Sequence, residues 1–96
     1  MKLGERIKTL RESQGLLQRQ LSAHLNIDTP MLSKIERGER RAKRDQVLKI
    51  AQVLNVDSGE LLTLWLADQI MEIVAREEQA LQALKLATKD IKTIKK

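Results

Sequence analysis

An all-helical protein is what this sequence predicts, on three observations. Leu, Ile, Val and Ala recur at spacings of three and four, the period that gathers side chains on one face of a helix. Aromatic residues, which strands favour, are reduced to Trp65. Neither proline nor glycine interrupts the chain between Glu60 and Lys96. Taken in order, Leu3, Ile7 and Leu10 mark a first helix closed near Gly15, a residue free to adopt positive φ. Leu21 and Leu25 belong to a short second helix beginning near Gln18. Asn26 and Ile27 make a turn, and Asp28 is placed to cap a third helix, its carboxylate accepting from the open amides of the first turn. Pro30 lies in that turn, where its missing N–H costs nothing. The third helix runs to about Arg37 and stops at Gly38. A fourth carries Val47, Ile50, Ala51 and Leu54. Asp57 opens a fifth, with Glu60 three residues on in a capping-box arrangement. Beyond it, Ile70, Val74, Leu81, Leu84 and Ile91 follow a heptad-like spacing that Glu77 and Thr88 interrupt. The segment reads as one long helix or two, with Ala75 to Glu78 as the break.

A chain of 96 residues supports one domain with a small appendage, so a single fold must carry the function. With no cysteine there is no disulfide framework and no thiol site. The opening MKLGERIK has no apolar signal region, and no apolar run approaches the roughly 18 residues that cross a bilayer. The expectation is a cytoplasmic protein. Its formal charge is +5, and the distribution is uneven. Residues 1–59 hold twelve Lys and Arg against seven Asp and Glu, whereas residues 60–96 hold six of each. A basic first part joined to a neutral second part suggests that the first part meets a polyanion.

The third helix sharpens that suggestion. At 100° per residue Asp28, Leu32 and Ile35 fall on one side, facing the core. Pro30, Ser33, Lys34 and Arg37 form the opposite stripe, flanked by Thr29 and Met31. That stripe offers a hydroxyl and two long cations with no acid, the chemistry that meets base edges and phosphates in a major groove wide enough for one helix.

These residues carry a family resemblance. QRQLSAHLNIDTPMLSKIERGER, Gln18 to Arg40, resembles the helix-turn-helix of the lambda-repressor/Cro-like (Xre) transcription regulators, and the likeness extends over about residues 3–62. Its anchors are Gln18, Leu21, Leu25, the turn before Asp28, the run Leu32-Ser33-Lys34-Ile35-Glu36-Arg37-Gly38, and Val56 to Leu62. The resemblance implies a five-helix lambda-repressor-like DNA-binding domain whose third helix enters the major groove while the second crosses the backbone. It places Thr29, Pro30, Met31, Ser33, Lys34 and Arg37 at recognition positions and Gln18 at a phosphate. Arg40, Arg41, Lys43 and Arg44 fall in the loop that touches the backbone or reaches toward the minor groove. It makes Arg11 and Glu36 a structural ion pair. The sequence departs from the pattern at Leu17, where Ser or Thr usually caps, at Asn26 for the turn glycine, and at Ala42 for a common proline, which should loosen the basic loop. Pro30 and Met31 stand where polar residues often contact bases.

Nothing suggests an enzyme. Ser13, Ser22, Ser33 and Ser58 have no His-Asp constellation, no phosphate-binding glycine loop occurs, and no cofactor is implied. His24, the one histidine, lacks neighbours at ligand spacing and is expected on the exposed side of the second helix, so no metal site is expected. Trp65 reads as a core or interface residue, and the closing KDIKTIKK as frayed, solvated chain. The expectation is a sequence-specific regulator of double-stranded DNA, with residues 1–66 as the DNA-binding domain and 67–96 as a helical extension that pairs two copies. The competing expectation is an antitoxin-like interaction module that holds a protein partner through the C-terminal helix, DNA binding being secondary.

Overall fold

A computed structural model describes residues 2–95, which form six helices and, among the described residues, no strand. In chain order they are α1 (Lys2–Ser13), α2 (Gln18–His24), α3 (Thr29–Glu36), α4 (Arg44–Leu54), α5 (Ser58–Val74) and α6 (Ala80–Ile94). The first five enclose one core in which Ile7, Leu21, Leu32, Val47, Ile50, Leu54 and Leu61 are fully buried, one or more from each helix. Each such side chain contributes roughly 1.5–3 kcal/mol by leaving water.

The ends of these helices fall where the sequence places them, with instructive differences. Gly15 has φ +70°, and Leu16 N donates back to Arg11 O at 3.0 Å. Asn26 takes the left-handed conformation that a turn glycine most easily adopts, φ 54°. Asp28 caps α3 by accepting from Met31 N at 2.8 Å, and for that reason its carboxylate is exposed instead of facing the core as the helical wheel suggests. Leu17, without a capping side chain, is served by Gln20 Oε1, which accepts from its N–H at 2.8 Å. At the start of α5 only half of the expected capping box forms. Asp57 accepts from Glu60 N at 3.3 Å, but the Glu60 carboxylate turns away to Arg6 Nε at 2.7 Å.

Two contacts fix how α1 sits. Gly4 lies so close to the end of α3 that an added Cβ would stand 2.5 Å from the carbonyl oxygens of Ile35 and Glu36. The amides of Lys2 and Leu3, which begin α1 and have no partner within it, donate to the two carboxylate oxygens of Asp68 at 3.0 Å each. Asp68 is buried and lies on α5, so the division expected between residues 66 and 67 falls inside a continuous helix whose later turns still belong to the body.

The break expected at Ala75 to Glu78 separates α5 from α6. No residue of α6 is buried. Its last turns include most of KDIKTIKK, which is helical through Ile94 and exposed; Lys96 lies outside the described residues. Leu66, Ile70, Met71 and Ile73 on α5, with Leu81, Leu86, Ile91 and Ile94 on α6, leave a large amount of apolar surface open.

Candidate nucleic-acid interface

The outer face of α3 is held from beneath by a buried polar network. Arg11 Nε donates to Glu36 Oε2 at 2.7 Å and Arg11 Nη2 to Glu36 Oε1 at 3.0 Å, a two-pronged pair with side chains only 8% and 2% exposed. Gln18 Nε2 adds a third bond to Glu36 Oε1 at 2.9 Å, and Arg11 Nη1 reaches Leu16 O at 2.8 Å. The hydrogen bond from Glu36 raises the Arg11 pKa above its ordinary value despite the cost of burial. The network joins α1, α2 and α3, so the angle between the two helices of the motif is fixed by charge-assisted bonds as well as by Leu21 and Leu32 in the core.

Above it, Pro30, Lys34 and Arg37 are exposed, and Thr29 and Ser33 are half-buried on the same side. Thr29 Oγ1 lies 3.4 Å from Ser22 Oγ of α2. Met31 turns partly inward and packs against the core, leaving less of it on the face than a flanking position suggests. Gln18 keeps its amide nitrogen on Glu36, a structural engagement that the sequence reading did not include.

One acid stands on this face, contrary to the sequence reading. Past Arg37, Gly38 adopts φ +77° and Glu39 N donates to Lys34 O at 2.8 Å, which turns the chain back over the end of α3. The Glu39 carboxylate accepts from Arg37 Nε, while Arg37 Nη1 donates to Ser33 Oγ. Hydrogen bonding by Arg37, and then its charge, hold the Glu39 carboxyl below the usual carboxylate range; the same contact raises Arg37. The signal was local, since a left-handed glycine between Arg37 and Glu39 reverses the chain within one turn.

The loop from Glu39 to Lys43 brings further cations alongside. Arg40, Lys43 and Arg44 are exposed and, among the described residues, have no ion-pair partner, as is also true of Lys34. Arg41 instead donates to Glu72 on α5. The loop is held at its middle, against the expectation for a chain lacking proline there. Ala42 is buried, and its carbonyl accepts from Trp65 Nε1 at 2.8 Å. Trp65 is thus half-buried with its polar edge spent on the loop. His24 is exposed on α2 as expected. Among the described residues no three His, Cys, Asp or Glu come together as a metal site.

The helix-turn-helix family matches residues 7–61, more than half the chain and within the span that carries the resemblance. The HTH-type transcriptional regulator ImmR of Bacillus subtilis is 37% identical over 62 residues, 65% of this chain; the match spans 49% of ImmR, about half its length. The cryptic phage CTXphi transcriptional repressor RstR of Vibrio cholerae is 29% identical over 76 residues, 79% of this chain and 68% of RstR. Among solved structures, the restriction-modification controller protein C.AhdI of Aeromonas hydrophila superposes with a TM-score of 0.58 at 33% identity, over 62% of this chain and 91% of C.AhdI. The clp gene regulator ClgR of Corynebacterium glutamicum gives a TM-score of 0.61 at 20% identity over 88% of each chain, a likeness of fold.

Proposed function

This chain belongs to the helix-turn-helix family, and on that premise we propose that it is a cytoplasmic, non-enzymatic transcription regulator that binds a specific double-stranded DNA sequence as a homodimer. The observation that carries the proposal is the outer face of α3, where Pro30, Ser33, Lys34 and Arg37 stand over a buried Arg11–Glu36–Gln18 network that keeps the helix from tilting. A surface meant only for solvation would not require so rigid a support. Lys34 and Arg37 then supply contacts to base edges, and Arg40, Lys43 and Arg44 supply phosphate contacts that set the affinity and its dependence on salt. Thr29 and Pro30 at the start of α3 meet the groove first, with the exposed part of Met31 beside them.

The proposed dimer forms through the C-terminal end. On α6 Leu84, Ala87, Ile91 and Ile94 recur at alternating spacings of three and four, as do Leu66, Ile70 and Ile73 on α5, the seam that two helices need to interlock. A second copy of the chain covers these faces, and two recognition helices roughly 34 Å apart read half-sites about one turn apart. The experiment is selection of bound duplexes from a random pool, followed by titration of Lys34→Ala with Arg37→Ala. The expected result is an inverted repeat, bound by the wild type with a steep salt dependence and lost in the double variant. A protein that enriches no sequence, or a double variant that binds as well as the wild type, sinks the proposal. Sedimentation at micromolar concentration tests the second copy; a monomer there, or a stable heterologous complex through α6, favours the interaction-module reading.

A further inference from the structure

The basic loop is attached to α5 at two adjacent residues. Trp65 Nε1 donates to Ala42 O at 2.8 Å, and Arg41 donates to Glu72, two turns further along the same helix. Because Ala42 is only 2% exposed and its carbonyl is engaged, the backbone beside Arg41 is fixed against α5. The Arg41 guanidinium therefore sits within reach of a carboxylate that a rigid helix holds in place. Arg40, Lys43 and Arg44 have no such partner among the described residues. The pair itself is exposed, 51% and 40% for the two side chains, so it adds little to the stability of the fold. What it changes is charge: a cation already matched by a carboxylate brings no net positive charge to a phosphate and releases no counterion from it.

We propose that Glu72 is a positioning residue for DNA binding, which keeps Arg41 on α5 and out of phosphate contact, so that the loop engages DNA through Arg40, Lys43 and Arg44. The inference rests on the DNA-binding reading above. It makes α5 a determinant of how many cations face the duplex, in the same turns that leave Met71 and Ile73 open.

The test is the slope of log affinity against log salt for the full chain on its selected duplex, measured by fluorescence anisotropy for wild type, Arg41→Ala, Glu72→Gln and the pair combined. One additional phosphate contact steepens the slope by about 0.9 per half-site. Arg41→Ala is expected to leave the slope unchanged, Glu72→Gln to steepen it by one contact per half-site, and the combined variant to return it to the wild-type value. An Arg41→Ala slope flatter by one contact with Glu72 present overturns the proposal. So does a Glu72→Gln steepening that survives loss of Arg41, since the carboxylate would then act on DNA directly. If Glu72→Gln fails to fold, Arg41→Ala alone still decides. A wild-type chain that binds no duplex sinks the DNA reading itself, an outcome distinct from any redistribution of slopes.

Discussion

Replacing Glu36 by Gln is the most informative perturbation of the buried network, because it changes charge and not shape. Glu36 Oε1 accepts from both Arg11 Nη2 and Gln18 Nε2, and Oε2 accepts from Arg11 Nε. A glutamine amide must present its own NH2 at one of these two positions, donor against donor, and Arg11 loses its counter-charge while only 7% exposed. Uncovering one member of a buried ion pair costs about 3–5 kcal/mol. Against a whole-domain stability of roughly 5–15 kcal/mol that is a large fraction. At about 4–8 °C per kcal/mol for a domain of this size, the melting temperature is expected to fall by at least 12 °C or so. Urea unfolding followed by circular dichroism gives the free energy directly.

The companion variant decides the cause. Arg11→Met with Glu36→Leu removes both charges and refills the volume, and an ion pair replaced as a unit by apolar side chains is often near neutral. The double variant is therefore expected to be more stable than Glu36→Gln by about 2 kcal/mol or more. A Glu36→Gln protein within about 1 kcal/mol of wild type, or a double variant no better than the single, would refute the view that an uncompensated charge is what destabilises it.

Three further outcomes follow from contacts elsewhere. Gly4→Ala sets a methyl 2.5 Å from two backbone oxygens of α3, which cannot rotate away, and is expected to cost about 1–3 kcal/mol in thermal unfolding and to weaken DNA binding by shifting α3. For Glu39, whose folded pKa is depressed by Arg37, the pair is intact above the ordinary carboxylate pKa of about 4.3 and opens as pH falls through the lower folded value; NMR titration should show its midpoint return to the ordinary range in Arg37→Ala, and Glu39→Gln should tighten DNA binding by freeing Arg37. Truncation after Gln79 removes α6, none of whose residues is buried, and is expected to leave a folded body of weakened self-association by melting and sedimentation, whereas truncation after Leu66 also removes Asp68 and should unfold the start of α1.

How much of this was legible in the sequence depends on how far apart the partners lie. The helices of the body were read from apolar period, caps and turn residues, all of which act within a few positions, and the recognition role of the third from its outward stripe and the family resemblance; the break near Ala75 was read from local sequence as well. The inward turn of Met31 and the reach of Glu39 back to Arg37 were also local, but they depend on rotamers and on the left-handed Gly38, which a helical wheel does not represent. The Arg11–Glu36 pair, 25 positions apart, was legible only through the family resemblance, and the contacts made by α5 were not legible at all. Asp68 meets the amides of Lys2 and Leu3, Trp65 meets Ala42, and Glu72 meets Arg41, pairs separated by 66, 65, 23 and 31 positions.

Each of those distant contacts is made by α5, and this bears on how the molecule works. The fifth helix closes the core with Leu61, and beyond that it caps the first helix, pins the loop after the third and matches one of its arginines. The same helix presents Leu66, Ile70 and Ile73 to whatever covers it. A partner docked on that stripe would press on the residues between it and the loop, and exclusion of water strengthens an ion pair that is weak when solvated. Were a second copy to cover that stripe, association and the charge presented to DNA would be linked through Trp65 and Glu72, with no moving domain required. If sedimentation shows that DNA of the selected sequence changes the dimerisation constant of the wild type but not of Glu72→Gln with Trp65→Phe, the linkage runs through these two side chains; an equal change in both places it elsewhere.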